Sequence, residues 1–266
     1  MKKGVYLAKK KNGDVYYRAS ITYAGKHVSL GSFETEDEAS YAYIVASKLY
    51  SDKTIDILNA SEMNFPLSFD KTVTILNHRD NGIYIKTPIY LHQGYFSYYL
   101  KGLGELKFDN DDLFYYSSHR IHFRNGHLYV NDFGMQYGIL ARYGIKNYAV
   151  CGRDYRFANG DDLDFRYQNV IVINNYHGVF KVEKRGQVFY ESKIHLNGDF
   201  LVGRFQKECV AAVAYNKAAD FARDRGFEKN FPHNFVVELS VEDYGKIYDG
   251  INLPQRFVEF FKSDLT

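Results

Sequence analysis

Residues 4–50 read GVYLAKKKNGDVYYRASITYAGKHVSLGSFETEDEASYAYIVASKLY, and residues 178–222 read GVFKVEKRGQVFYESKIHLNGDFLVGRFQKECVAAVAYNKAADFA. The second stretch repeats the first. Gly4-Val5-Tyr6 matches Gly178-Val179-Phe180, Tyr17 and Ile21 match Tyr190 and Ile194, and Gly25 matches Gly198. Further on, Gly31 and Phe33 match Gly203 and Phe205, and Glu36, Ala39 and Tyr43 match Glu208, Ala211 and Tyr215. Each copy runs on to the same tripeptide, Asn64-Phe65-Pro66 and Asn230-Phe231-Pro232. Between Gly4 and Tyr43, one-residue shortenings in turns absorb the drift in numbering. Order, residue type and tail are kept together, which chance similarity does not do.

Each copy reads as three strands and a helix. Tyr17, Ala19 and Ile21 alternate with Arg18, Ser20 and Thr22, the period of a half-buried strand. Hairpin signals fall at Asn12-Gly13 and Ala24-Gly25. Thr35 and Glu38 have capping-box spacing, and Ala39, Ala42, Tyr43 and Ala46 then recur at helical spacing. Tyr17, Ile21, Leu30 and Phe33 are the expected filling between sheet and helix, each worth about 1.5–3 kcal/mol if fully buried. The other sheet face is then left open. It would show Arg18, Ser20, Thr22, His27 and Ser29, with Lys9, Lys10 and Lys11 at its edge.

The charge distribution supports a polyanionic partner at that end. The net charge of the 266 residues is only +2, yet Lys2, Lys3, Lys9, Lys10, Lys11, Arg18 and Lys26 face the single acid Asp14 within residues 1–31. Apolar residues at 45% and charged residues at 25% suit a globular chain and exclude a disordered one. The two cysteines, Cys151 and Cys209, give neither a disulfide framework nor a zinc site. The start lacks the apolar run of a signal peptide, and no apolar stretch of about 18 residues offers a membrane span. The expectation is a cytoplasmic protein without a membrane partner.

The pattern G-V, A-x-I, L-G-x-F-x-T-x-x-E-A-x-x-A-Y and then N-F-P resembles the AP2 DNA-binding domain. That domain occurs in plant transcription factors and in homing endonucleases of phages and mobile elements. The resemblance covers residues 1–68 specifically and 177–236 more weakly, with Val202-Gly203 where Leu-Gly is usual. It implies double-stranded DNA as partner, read by the three-stranded sheet in the major groove. The implied base-facing positions are Tyr6, Ala8, Ser20, Thr22, His27 and Ser29, with Arg18 adjacent. Several of these are Arg or Trp in plant domains, so plant target sequences do not transfer. In the second copy the corresponding face holds Glu191, Lys193 and His195, and Glu191 is expected to repel phosphate and weaken binding.

Residues 69–176 lack the repeat and are expected to form a middle domain. Residues 70–100 alternate around Asn81-Gly82, which suggests a hairpin. Further turns are expected at Asn110-Asp111 and Asn125-Gly126, and a short helix over Met135–Tyr143. The stretch CGRDYRFANGDDLDFRYQNVIVIN, residues 151–174, resembles the core of HNH nucleases through Asp154, Asn159-Gly160-Asp161, Leu163-Asp164, Arg166 and Asn169. In that family a His activates water beside one divalent ion. Here Tyr155 stands where the general-base His belongs, Phe165 replaces an Asn, and the upstream His aligns roughly with Tyr137. A phenol is a poor base and a poor ligand for a hard cation. His119, His122 and His127 lie close by on an expected hairpin, and Asp161, Asp162 and Asp164 form an acidic turn. Residues 237–266 suggest two helices, Val241–Tyr248 and Pro254–Lys262.

These readings describe an α+β chain. Two AP2-like units, residues 1–68 and 177–236, flank a degenerate HNH-like α+β middle domain at 69–176, with a helical tail at 237–266. The expected function is sequence-specific DNA binding without enzymatic activity, metal or cofactor. It would be derived from a homing endonuclease and act in the cytoplasm of a bacterial host as a transcriptional repressor that occludes a promoter. Lys9, Lys10, Lys11, Arg18, Ser20, Thr22, His27, Ser29, Lys193 and His195 are the candidate DNA contacts. Asp154, Tyr155, Asn169 and His177 are the vestigial nuclease positions. One alternative is an active nuclease using Asp154, Asn169 and His177; another is a protein-binding inhibitor module. A two-fold dimer on a palindrome fits the first reading.

Overall fold

The structure, a computed structural model, describes residues 1–63 and 66–263. Asn64 and Phe65 of the first tail tripeptide lie outside them. The fold is α+β, built from small antiparallel sheets and short helices. The chain divides into two compact units: residues 1–139 with 161–169, and residues 140–160 with 170–266. It therefore passes from one unit to the other three times, after residues 139, 160 and 169.

In the first unit, β1 (Val5–Lys9), β2 (Val15–Tyr23) and β3 (Lys26–Phe33) form an antiparallel sheet in that order. Helix α1 (Glu36–Ser51) packs on one face of it. The capping box is present, with Thr35 Oγ1 accepting the Glu38 amide and Glu38 returning the bond to Thr35. Ala39, Ala42 and Ala46 are buried, so the helix lies close to the sheet. Ala19, Val28 and Leu30 fill the inner face, while Tyr17, Ile21 and Phe33 pack at its margin half-buried.

The same core takes in α3 (Phe69–Asn81), which follows the short α2 (Ile57–Glu62). The sequence suggests a hairpin across Asn81-Gly82; the chain forms a helix instead. Ser68 caps its start by accepting the Lys71 amide, and Gly82 ends it in the left-handed conformation. Its threonines are accommodated because Thr72 and Thr74 donate to the carbonyls of Ser68 and Asp70. Val73, Ile75 and Leu76 are buried.

A three-stranded meander follows: β4 (Ile89–Leu91), β5 (Tyr95–Leu100) and β6 (Gly104–Asp109). The turn expected at Asn110-Asp111 is a 3-10 turn that leads into α4 (Leu113–Ser118). A second meander has β7 (Ile121–Arg124), β8 (His127–Asp132) and β9 (Met135–Gly138), turning at Asn125-Gly126 as the sequence suggests. The helix expected over Met135–Tyr143 is a strand up to Gly138, because Tyr137 pairs with Val130, and becomes a 3-10 turn only from Ile139. Residues 161–169 return to this unit along β6, with the Lys107 amide donating to Leu163 and the Phe165 amide to Lys107.

The second unit holds the hairpin β10 (Tyr155–Phe157) and β11 (Val170–Val172), then the second copy. There β12 (Val179–Lys184), β13 (Gln187–His195) and β14 (Asp199–Phe205) repeat the order of the first sheet, and α5 (Glu208–Asp224) repeats α1. Both sheets carry a bulge at the same place, after Ala19 and after Ser192. Both also start on a glycine with positive φ, Gly4 and Gly178, beneath a tyrosine of the helix. A Cβ there would stand 2.1 Å from the Tyr43 ring in one copy and 2.2 Å from the Tyr215 ring in the other. Gly4 and Gly178 also accept matched bonds from the amides of Ser20 and Lys193. The tail helices α6 (Val241–Gly250) and α7 (Gln255–Ser263) lie close to the expected ranges, and Phe257 and Phe261 of α7 join the core of this unit.

Candidate nucleic-acid interface

Strand register decides what the first sheet presents. Tyr6 pairs with Arg18 and Arg18 with Ser32, Ala8 pairs with Tyr16, Ser20 with Ser29, and Thr22 with His27. Partners across antiparallel strands share a face. All of these residues therefore lie opposite Val5, Ala19, Ile21 and Val28, which face α1. Tyr6, Arg18, Thr22, His27, Ser29 and Ser32 are exposed there, and Ala8 and Tyr16 are half-exposed. The Arg18 guanidinium rests on Tyr16, with Nη2 donating to the phenol oxygen at 2.8 Å and the ring centroid 5.5 Å away. That contact holds a planar five-donor group over the open sheet, which is the form that pairs with guanine edges and phosphate.

Two sequence-derived contacts are placed differently. Ser20, on the middle strand beside the bulge, is only 7% exposed and sits below its longer neighbours. Lys9 pairs with Val15 and so falls on the helix side of the sheet with Val5 and Leu7. Lys10 and Lys11 stand exposed in the β1–β2 turn, Lys10 at 4.0 Å from Asp14. Tyr16 was not among the sequence-derived contacts. Its position two residues before Arg18 carried the signal, since strand residues of that spacing share a face.

The second sheet has the same geometry with different chemistry. Phe180 and Glu191 occupy the places of Tyr6 and Arg18, and Arg204 lies across from Glu191. The Glu191 carboxylate is largely buried and takes Lys193 at 2.6 Å and Arg204 at 2.9 Å. The bond from Lys193, and then that from Arg204, hold its carboxyl below the usual glutamate range. Lys193 and Arg153 lie over the Phe180 ring, and Arg204 lies over Phe189. His195 pairs with Asp199 at 2.6 Å. Lys193 and His195 thus sit on the expected face, but each is matched by an acid.

The nuclease-like positions are built into the fold. Asp154 is buried; burial raises its carboxyl, but bonds from Arg153, the Val150 amide and Asn174 outweigh this and hold it low. Tyr155, 9% exposed, packs with Ile145 and Val170. Phe165 stacks on Phe108 at 5.4 Å between centroids. Asp164 holds Arg166 through two bonds, and Asn169 spends its amide nitrogen on the carbonyls of Asp161 and Asp164. His177 is wedged between Tyr148 and Tyr215, its ring lowered in pKa by burial and then by Arg153. Asn169 belongs to the first unit and Asp154 and His177 to the second. His119 stacks on Tyr115 and bonds its carbonyl, His122 stacks on Tyr129, and His127 is exposed. Asp161 faces Lys107 at 3.6 Å. Among the described residues no group of three or more His, Cys, Asp or Glu side chains could hold a metal ion, and no helix is long and apolar enough to cross a membrane.

Compared with protein-family models, with curated proteins and with solved structures, the chain matches none.

Proposed function

We propose that this chain is a sequence-specific double-stranded DNA-binding protein that occupies its site without cutting it, and that it represses transcription by promoter occlusion. The observation that carries the reading is the solvent-facing side of the β1–β3 sheet, where Tyr6, Arg18, Thr22, His27 and Ser29 lie together. A twisted antiparallel sheet of this size fits the major groove, and these side chains match base edges and phosphate in kind. The structural engagement of Asp154, Tyr155, Asn169 and His177 supports occupancy without cleavage. The likeness to AP2 and HNH proteins belongs to this proposal. Selection of bound sequences from a random duplex pool provides the target. On it, Arg18→Ala is expected to lower affinity at least tenfold, since a bidentate Arg–guanine pair is worth about 1–3 kcal/mol. Unchanged affinity would place the interface elsewhere. Metal-dependent nicks in that target with Mg²⁺ or Mn²⁺ would overturn the non-cutting half of the reading and favour the homing nuclease.

One observation favours a protein-binding role for the second sheet. Phe180, Val182 and Leu201 accompany charges that neutralise one another. A partner held there would bind with little dependence on salt.

A further inference from the structure

The first unit carries a second cluster of cations outside the sheet. A cavity of about 590 Å³ is lined by Lys71, Lys86, Lys101 and Arg120, with Asp70 the acid among them. Asp70 is already engaged by Arg120. Lys86 and Lys101 are exposed and, among the described residues, make no ion pair. The cavity thus carries four cationic side chains against one acid, a balance that suits an anionic ligand.

The cluster is continuous with the reading sheet. Lys26 sits at the β2–β3 turn, next to His27. Its ammonium lies over the Tyr84 ring at 5.4 Å from the centroid. Lys71 lies over the same ring at 5.8 Å and donates to its phenol oxygen at 3.2 Å. One aromatic ring thus bridges the tip of the sheet to the cavity, linking Lys26 to Lys71, which lines it together with Lys86 and Lys101. None of these cavity residues belongs to the repeated unit.

The geometry points to a phosphate-backbone site at this cavity, through which the protein holds duplex DNA flanking the stretch read by the β1–β3 sheet. The inference rests on the DNA-binding reading above and extends it. Its contacts are to phosphate, so they add affinity without sequence preference.

The test uses the full chain and the selected duplex, in a short form covering the core site and in a form extended on both flanks. Affinity is measured between about 50 and 200 mM salt for wild type, Lys86→Ala/Lys101→Ala and Arg18→Ala. The double variant is expected to lower the slope of log K against log salt by about 1.8 on the extended duplex, two contacts at about 0.9 each. On the short duplex it should match wild type. Both substitutions are at exposed positions, and an unaltered unfolding transition checks that the fold is kept. An unchanged slope on the extended duplex, while Arg18→Ala still loses affinity, overturns the flanking site and leaves the reading sheet standing. Binding of inorganic pyrophosphate that the double variant abolishes, with no change on DNA, overturns it too and assigns the cavity to a small phosphate ligand. If neither duplex binds wild type, the DNA-binding reading falls and takes this inference with it.

Discussion

Glu191→Gln is the substitution by which the second sheet can be asked whether it meets DNA. In the folded chain the carboxylate accepts from Lys193 Nζ at 2.6 Å and from Arg204 Nε at 2.9 Å. Two cations on the open face are thereby spent on one buried acid. Gln keeps the volume but carries no charge, so neither Lys193 nor Arg204 is held as an ion pair and both can turn to solvent. The stability cost is about 1 kcal/mol, the net worth of a typical hydrogen bond, because both cations can hydrate once released. The effect on a polyanion is larger. Each freed cation that meets a phosphate steepens the salt slope by about 0.9, so two steepen it by about 1.8. Over a fourfold change in salt, from about 50 to 200 mM, that multiplies the loss of affinity by about twelve. Fluorescence anisotropy on a labelled duplex reads this directly. Acid does not substitute for the variant near neutrality: the Lys193 bond holds the carboxyl below its ordinary range, so protonation frees the cations only at lower pH still. A Glu191→Gln protein with the wild-type salt slope would show that the second face does not touch DNA, and would refute the idea that its internal ion pairs are what weakens it.

Three further outcomes are expected. Gly4→Ala should destabilise the first unit by about 2–5 kcal/mol, combining about 1–2 kcal/mol of left-handed backbone strain with about 1–3 kcal/mol of overlap with Tyr43. Gly13→Ala, where φ is also positive but nothing lies within 4 Å, should show strain alone; equal losses in denaturant unfolding would remove the Gly4–Tyr43 contact from the account. His177 is held neutral by burial and by Arg153, so its folded pKa lies below its unfolded one. Its stabilising contribution is complete above the unfolded value, about 6.5, and is lost as pH falls below that toward the depressed folded value. Unfolding of the second unit followed from pH 7.5 to 5.5 should show that loss, and His177→Gln should flatten it. Phe165→Ala should cost the first unit about 3–5 kcal/mol through its stack on Phe108, with the selected duplex still bound by the protein that remains folded.

The repeated units were legible because their signals are local. The Thr35–Glu38 capping box, the alternation from Tyr17 to Thr22 and the glycines of the turns each act within a few residues. Residues 69–81 were not, because alternation around Asn81-Gly82 reads as a hairpin. The helix is secured by the Ser68 cap and by burial of Val73, Ile75 and Leu76 against the first core, a tertiary term. Strand alternation alone places Arg18, Thr22, His27 and Ser29 on the open face, but burial of Ser20 depends on its place beside a bulge on the central strand. At the nuclease-like positions, spacing gives residue types and not partners. Nothing in the sequence indicates that Asn169 donates to Asp161 and Asp164, or that Glu191 gathers in both Lys193 and Arg204.

The three passages of the chain between its units bear on how the protein can be taken apart. A single nick after residue 139 cuts the backbone but leaves residues 161–169 hydrogen-bonded along β6 of the first unit while their own fragment continues into the second. The two pieces are expected to stay associated through those bonds until they are denatured. No single truncation point yields both halves intact, and the natural dissection is by complementation: residues 1–139 mixed with 140–266, scored for recovery of the fold.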